Sequence, residues 1–387
     1  MTSVKKIRLD EAVNNATVIL NAAEIISFVF DDSDPIPPQF VHQNFGQSGD
    51  FEWPTDLLPL RITIRVLTSE QLQSVVQIEH GGDYECYRSV RLRGEIISKL
   101  KFPCELEGGN KPAVYPGNLE QFERDAFSSD MKPSEVSDVA GGSCVERYSS
   151  KDFQKRSLNV WKRAEWLMLW YIESVSQSQH ETDPHWDYYF LKDARGRIVS
   201  FCSVYIFPSF SFLSKGFIGD RVRLSQFLTI PSEWKRGTGS LLLRHIVENV
   251  KVRDDVDKFT MEEPSFGMTS LRESVYLALA KQDKLLDVRD VTVDELESIL
   301  KIPRSFAKRI KNLLELRNIR GSRSVDESLV DRVLASGNKY VQKFIDSIEF
   351  YDDIDEEDLV GDSAEKTRLL VRSRVFDALK KIEKICV

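Results

Sequence analysis

The sequence predicts a mixed α/β protein that gives way to a helical region toward its C-terminus. Three observations predict it. Leu60-Arg61-Ile62-Thr63-Ile64-Arg65-Val66 alternates apolar and polar residues, the period of a half-buried strand. Between about Trp186 and Ala280 the segments read in the order β-β-β-α-β-α, that of a layered α/β fold. After about Asp283 the chain changes to short segments with apolar stripes and helix-start signals. These changes divide the chain into 1–144, an α/β region with long loops; 145–283, a mixed-sheet core; and 284–387, a helical region.

The elements follow in order. Glu105 to Cys144 is rich in Gly, Pro and Ser and reads as long loops around one short helix near Leu119–Ala126. A strong helix is expected from about Asp152 to Ser176, carrying Trp161, Ala164, Leu167, Leu169, Trp170 and Ile172. Strands at Trp186–Lys192 and Ile198–Phe207 are split by Asp193-Ala194-Arg195-Gly196, a hairpin signal. Then come a strand at Arg221–Ile230 and a helix from about Gly239 to Lys251, striped by Leu242, Ile246 and Val250. A strand at Lys258–Glu263 and a helix at Ser270–Ala280 close the core. In the last region Thr292-x-x-Glu295 and Ser324-x-x-Glu327 both have the capping-box pattern. Phe306, Ile310, Leu313 and Leu314 give the helix between them its buried face. The acidic run Asp352–Asp358 reads as a solvated face or linker before a last basic helix, Thr367–Lys384.

Composition narrows the class. The chain has 387 residues, 41% hydrophobic and 10% aromatic, enough for large cores and for two or three domains. Its formal net charge of −8 argues against direct nucleic-acid binding, which needs a basic footprint. Cys86, Cys104, Cys144, Cys202 and Cys386 are scattered without a CxxC pair, so neither a disulfide framework nor a thiolate zinc site is expected. The opening residues lack the apolar stretch of a signal peptide. The most apolar run, Phe201 to Leu213, is too short to span a bilayer and contains Pro208. The expectation is a soluble intracellular protein in a reducing compartment, without membrane association.

The densest chemical signal runs from Arg221 to Ser240. A buried strand ends at a Gly-containing turn and opens directly into an apolar helix, so backbone N–H groups and a helix N-terminus converge as a pyrophosphate requires. Within it, Lys235-Arg236-Gly237-Thr238-Gly239 supplies charge and two glycines for close backbone approach. One Gly-x-Gly alone is more often a turn; its place between strand and helix makes it specific. Gln226 interrupts the apolar face Val222, Leu224, Leu228 and Ile230, and reads either as an amide paired with a neighbouring strand or as a polar group at a cleft; the first reading weighs more.

Two further segments carry carboxylates. Thr260-Met261-Glu262-Glu263-Pro264-Ser265 places adjacent acids at a strand end, and Glu173 follows Trp170-Tyr171-Ile172. A lysine ammonium near pKa 10.4 must lose a proton before its nitrogen can attack an acyl group, and a carboxylate can take it. In a regular strand Glu262 and Glu263 would face opposite ways, so only one would reach a site. The bland readings are an exposed strand end and a solvent-facing helix residue. His42 and His185 each stand alone and read as structural; no group of residues has metal-ligand spacing, so no metal is expected.

These segments together resemble the catalytic core of the type B histone acetyltransferases, within the GNAT superfamily. Pro38-Gln39-Phe40-Val41-His42-Gln43-Asn44-Phe45-Gly46 is similar to a motif of that family's amino-terminal domain, and Leu271-Arg272 and Lys301 to Leu314 are similar to segments after its core. The resemblance covers roughly residues 10–50 and 145–315. It implies a GNAT acetyltransferase core, a mixed twisted sheet flanked by helices, with an N-terminal α/β domain and a C-terminal helical region. It also implies acetyl-CoA as acetyl donor, with Phe227, Leu228, Thr229 and Ile230 along the pantetheine. Lys235, Arg236, Gly237, Thr238 and Gly239 would meet the pyrophosphate, and Arg272 would also contact the cofactor. By the same resemblance Glu262 is the general base, supported by Glu263 and Glu173, and Trp186 and Tyr205 line a peptide groove. Asp50 and Glu52 would stand in for the family's acidic pair, which Gln47-Ser48-Gly49 displaces here. Trp234 is a second departure, since the GNAT pattern has Gln or Arg there.

The implied substrate is the amino-terminal tail of newly made histone H4, the implied partner a WD-repeat histone-binding protein, and the implied location both nucleus and cytoplasm. Two alternatives stay open: a GNAT-fold histone-binding or chaperone protein with impaired catalysis, and an acetyltransferase for another protein or a polyamine.

Overall fold

Alternating side chains build the strands, and one helix buried on nearly every face sets where they pack. The computed structural model describes residues 16–69, 71–82, 87–100, 132–152, 159–173, 175, 183–211, 216–285, 291–320, 324–349 and 363–386. In chain order the first elements are β1 (Thr17–Asn21), α1 (Ala22–Ile25), β2 (Ile26–Phe30), α2 (His42–Phe45), β3 (Asp50–Pro54), β4 (Leu60–Leu67), β5 (Gln73–His80) and α3 (Tyr87–Lys99). They are followed by β6 (Glu135–Asp138), β7 (Cys144–Ser149), α4 (Asn159–Tyr171), β8 (Trp186–Lys192), β9 (Ile198–Ser211) and β10 (Gly216–Thr229). The rest are α5 (Thr238–Val252), β11 (Val256–Met261), α6 (Phe266–Gln282), α7 (Val293–Leu300), α8 (Arg304–Arg320), α9 (Glu327–Ala335), α10 (Lys339–Glu349) and α11 (Ser363–Cys386). The architecture is mixed α/β, as expected. The chain forms two compact units: Met1–Ser203 with Gln226–Thr238, and Val204–Ser225 with Gly239–Val387.

In the first unit β1 pairs antiparallel with β3, and β2 pairs parallel with β4, which pairs antiparallel with β5. The alternation of Leu60–Val66 appears directly in β4: Leu60, Ile62, Ile64 and Val66 are buried. A further sheet runs β6-β7-β8 and continues through the first half of β9 to the end of β10. Asp193 and Arg197 close the β8–β9 hairpin, their backbone groups bonding at 3.0 Å.

Helix α4 belongs to the core on nearly every face, burying the charged Arg163 and Glu165 along with its apolar residues. Its tryptophans reach in different directions. Trp161 lies tilted against Tyr188 at 4.4 Å and edges onto Phe190 and Phe201 of the large sheet. Trp166 and Trp170 meet Phe28 of β2, and the Trp166 indole donates to the Leu100 carbonyl at 2.8 Å.

The expected helix over Asp152–Ser176 ends early, since α4 stops at Tyr171; Ser150–Asp152 is a 3-10 turn, and residues 153–158 lie outside the described residues. Its terminal carbonyls are taken by another segment. The N–H groups of Gln39 and Phe40 both donate to the Trp170 carbonyl at 3.0 Å, and the Gln43 amide donates to the Ile172 carbonyl at 2.8 Å. Such tertiary donors satisfy carbonyls that every helix end leaves open. The helix expected near Leu119–Ala126 and the acidic run Asp352–Asp358 lie outside the described residues.

In the second unit β10 pairs parallel with β11, Arg221 opposite Lys258 through Leu224 opposite Met261. The stripe Leu242, Ile246 and Val250 of α5 is buried, joined by Leu243 and Val247. Around α8 pack α7, α9, α10 and α11. The Thr292–Glu295 capping box forms as predicted. The Ser324 pattern does not: Asp326, one residue before α9, caps it by accepting from the Leu329 N–H at 2.8 Å. Among the described residues no helix is long and apolar enough to cross a membrane.

Trp161→Ala is expected to lower the first unit's stability by ~3–5 kcal/mol in urea unfolding, as large core truncations do. Ile19→Ala, at a side chain left 70% exposed, is expected to change it by less than about 0.5 kcal/mol. Equal losses in the two variants would contradict the central place of α4.

Candidate active site

In the first unit the end of β10 leads through Ile230 into a 3-10 turn, Pro231–Glu233, and then Trp234 to Thr238, where α5 starts. Two residues of this loop are left-handed, Lys235 at φ 63° and Gly237 at φ 88°. A side chain at Gly237 would meet no neighbour within 4 Å, so its glycine serves backbone conformation and close approach, not space. The turn is tied by Glu233 N–H to the Ile230 carbonyl at 2.8 Å and by the Thr238 hydroxyl to the Glu233 carbonyl at 3.3 Å.

Trp234 acts as a staple. Its indole N–H donates to the Thr229 carbonyl at 2.8 Å and its ring meets Tyr171 edge-on at 6.1 Å. The departure from the GNAT pattern therefore fixes the loop to the strand before it. Burial pushes the Tyr171 phenol above its ordinary value, so that partner stays neutral.

Below the loop Glu233 is buried and faces two arginines, Arg236 at 3.4 Å and Arg197 at 3.7 Å. Arg197 also reaches Asp193 at 2.7 Å and Asp31 at 3.8 Å. One guanidinium thus joins the end of β2, the β8–β9 turn and the loop. Burial works to raise the Asp193 carboxyl, but the Arg197 guanidinium and the N–H groups of Arg197 and Arg195 hold it below the ordinary carboxylate value.

Phe227, Leu228 and Thr229 end β10, and Ile230 follows it. Gln226 is buried and accepts the Ser203 hydroxyl at 3.0 Å, the strand-pairing reading of that residue. Glu173 lies just past α4, exposed, on the stretch clamped by Gln43. Trp186 opens β8, half-buried and stacked on Tyr188 at 6.3 Å. Asp50 and Glu52 are exposed on β3, two residues apart, and Asp50 accepts from the Asn21 amide at 2.9 Å. His42 stands edge-on to Phe40, and His185 bonds to Asp183 at 2.7 Å.

In the second unit β11 stops at Met261, so Glu262 and Glu263 lie in a bend and the opposite-face rule does not govern them. Glu262 N–H still bonds to the Leu224 carbonyl at 2.9 Å, while Glu263 takes a left-handed φ of 33°. The Glu262 carboxylate accepts the Ser225 hydroxyl at 2.6 Å and has Arg223 at 4.0 Å. Arg223 lies 4.9 Å over the Phe207 ring, and Phe207 is 6.0 Å from Tyr205. Tyr205 and Glu262 are therefore linked through one patch of aromatic, cationic and hydroxyl groups. Arg272 is buried on α6 with its guanidinium 3.5 Å over Phe306, and it lines one cavity with Thr260, Met261 and Pro264 of the segment that carries Glu262. Gly239 is the second residue of α5 and is buried.

Sequence reasoning missed Ser225, and named Gln43 only within the Pro38–Gly46 motif without its role. The polar positions of β10, Arg221, Arg223 and Ser225, held the signal for the first. The role of the second was not legible, because its partner lies 129 residues away. Among the described residues no group of three or more His, Cys, Asp or Glu is placed to hold a metal ion.

No family model matches the chain. It is 33% identical over 116 residues to a histone acetyltransferase type B catalytic subunit of Arabidopsis thaliana, covering 28% of this chain and 23% of that one. A protein of the same name from Mycosarcoma maydis is 28% identical over 119 residues, covering 29% and 25%. The chain resembles type B histone acetyltransferases. The matched segment spans about a quarter of those relatives' length. Among solved structures, an aminoglycoside acetyltransferase from an uncultured soil metagenomic sample, in complex with sisomicin, superposes over 40% of this chain and 95% of its own. The identity is 10% and the TM-score 0.26.

Gln43→Ala removes the side-chain donor to the end of α4. A loss of ~1–2 kcal/mol and faster amide exchange around Tyr171 and Ile172 are expected. Unchanged exchange there would show that the clamp does not hold the helix end.

Proposed function

We propose that this protein is a lysine N-acetyltransferase acting on histone tails with acetyl-CoA as donor, built on a GNAT core. The observation that carries the reading is the Glu262 carboxylate, held at 2.6 Å by Ser225 beside an aromatic patch, in a chain that resembles type B histone acetyltransferases. The left-handed loop supports it: Lys235 and Gly237 turn the backbone ahead of α5, where N–H groups and the helix N-terminus favour an anion. In this reading Lys235, Arg236, Gly237, Thr238 and Gly239 hold the pyrophosphate, and Phe227 to Ile230 flank the pantetheine. Arg272 is a further cofactor contact.

Glu262 accepts a proton from the substrate lysine ammonium. The neutral amine attacks the acetyl carbonyl carbon, the carbon–sulfur bond breaks, and the thiolate departs and is protonated. Glu173 and Glu263 help hold the lysine. Trp186 and Tyr205 offer flat surfaces to the peptide, and Asp50 and Glu52 suit a basic tail. The reading brings with it the H4 tail as substrate, a WD-repeat histone-binding partner, and work in nucleus and cytoplasm.

The test is transfer of labelled acetyl to a histone H4 tail peptide. Glu262→Gln is expected to lower kcat by ~10²–10⁴-fold, the worth of a positioned base, with acetyl-CoA affinity kept within about threefold. Full activity in this variant would overturn the assignment of the base. A wild-type chain that binds the peptide tightly and transfers nothing would leave the histone-binding reading instead.

A further inference from the structure

The second unit contains a cavity of about 900 Å³ whose charge runs against that of the whole chain. The chain carries a net −8, yet Arg272, Lys308, Arg309, Lys311 and Lys343 all line this cavity and no carboxylate does. Some of this charge is accounted for. Arg309 pairs with the buried Glu273, which also pairs with Lys381. Lys311 Nζ donates to the Val291 carbonyl at 2.7 Å, and Arg272 stacks on Phe306. Lys308 and Lys343 are exposed and have no ion-pair partner among the described residues.

Gathering cations around one concave space costs repulsion that an anion would relieve. Lysines serve as point charges for phosphate and arginines as planar forks, and both types are present. Phe306 and Tyr340 add aromatic walls, and Ser305 and Asn312 add polar groups. The volume lies within the range of small-molecule sites.

We propose that this cavity binds a multiply charged, phosphate-bearing small molecule. Such phosphate has two sources, the phosphorylated adenosine end of coenzyme A or a separate phosphorylated metabolite. The proposal does not rest on acetyl transfer, since binding is read directly; a chain that acetylates nothing can still pass the test.

The experiment is calorimetric titration of the full chain with coenzyme A, 3′-dephospho-coenzyme A and inorganic tripolyphosphate. The variant is Lys308→Gln with Lys343→Gln, two exposed residues whose loss leaves the core intact. Lys132→Gln with Lys151→Gln removes the same charge from the first unit and serves as control. Loss of two charge-assisted contacts is expected to weaken a bound phosphate ligand by roughly tenfold or more in the first variant alone. A loss for coenzyme A but not for its dephospho form assigns the phosphate to the coenzyme. A loss for tripolyphosphate with coenzyme A unchanged assigns it to a separate metabolite. If none of the three ligands distinguishes the variant from the control, the proposal is overturned.

Discussion

A helix buried on nearly all sides must have its end carbonyls satisfied by protein, because water cannot reach them freely. Helix α4 meets this constraint with donors from a segment some 130 residues earlier, the N–H groups of Gln39 and Phe40 and the Gln43 amide. This explains locally why a Pro-x-aromatic-x-His-Gln segment stands where it does. Its backbone supplies two donors, its glutamine a third, and Phe45 packs against Trp170 on the same helix. The exposed Glu173 leaves the helix from a fixed point as a result. A residue at a fraying helix end would sample many positions; one just beyond a clamped end samples few.

The loop between β10 and α5 has a comparable anchor made of charge. Glu233 is buried beneath it, and a buried carboxylate needs partners. Arg197 supplies one while also holding the Asp193 turn and Asp31, so a single guanidinium couples three stretches of chain. Trp234 fixes the loop's other side through Thr229. The backbone N–H groups of the turn do not depend on the side chain at Trp234.

Local signals were legible in the sequence and distant ones were not. The alternation of Leu60–Val66, the stripe Leu242-Ile246-Val250 and the Thr292 capping box all depend on residues within a few positions, and each forms. The helix over Asp152–Ser176 was read too long because apolar periodicity marks a buried face, not where the backbone stops. Ser324 was read as a cap because its spacing to Glu327 fits the pattern; Asp326, nearer α9, has the stronger acceptor and takes the role. The facing rule for Glu262 and Glu263 assumed a strand that ends one residue earlier than they begin. Ser225 joined to Glu262 requires knowing that β10 and β11 are parallel neighbours, which no single segment records.

For the proposed chemistry, the arrangement around Glu262 has to solve a mismatch of acidity. An ordinary glutamate near 4.3 and an ordinary lysine near 10.4 stand about six units apart, so proton transfer between them in water is uphill by roughly 8 kcal/mol. Two changes close that gap: desolvation raises the acid and lowers the amine. In the structure the Glu262 side chain is still 49% exposed, with a hydroxyl and a guanidinium on its charged form. Neither contact excludes water from the carboxylate. The peptide itself must therefore do so, its backbone covering the patch formed by Tyr205, Phe207 and the bend after Met261. In the proposed reaction, substrate binding and desolvation are then one event: water leaves the carboxylate and the ammonium together when the lysine is in place.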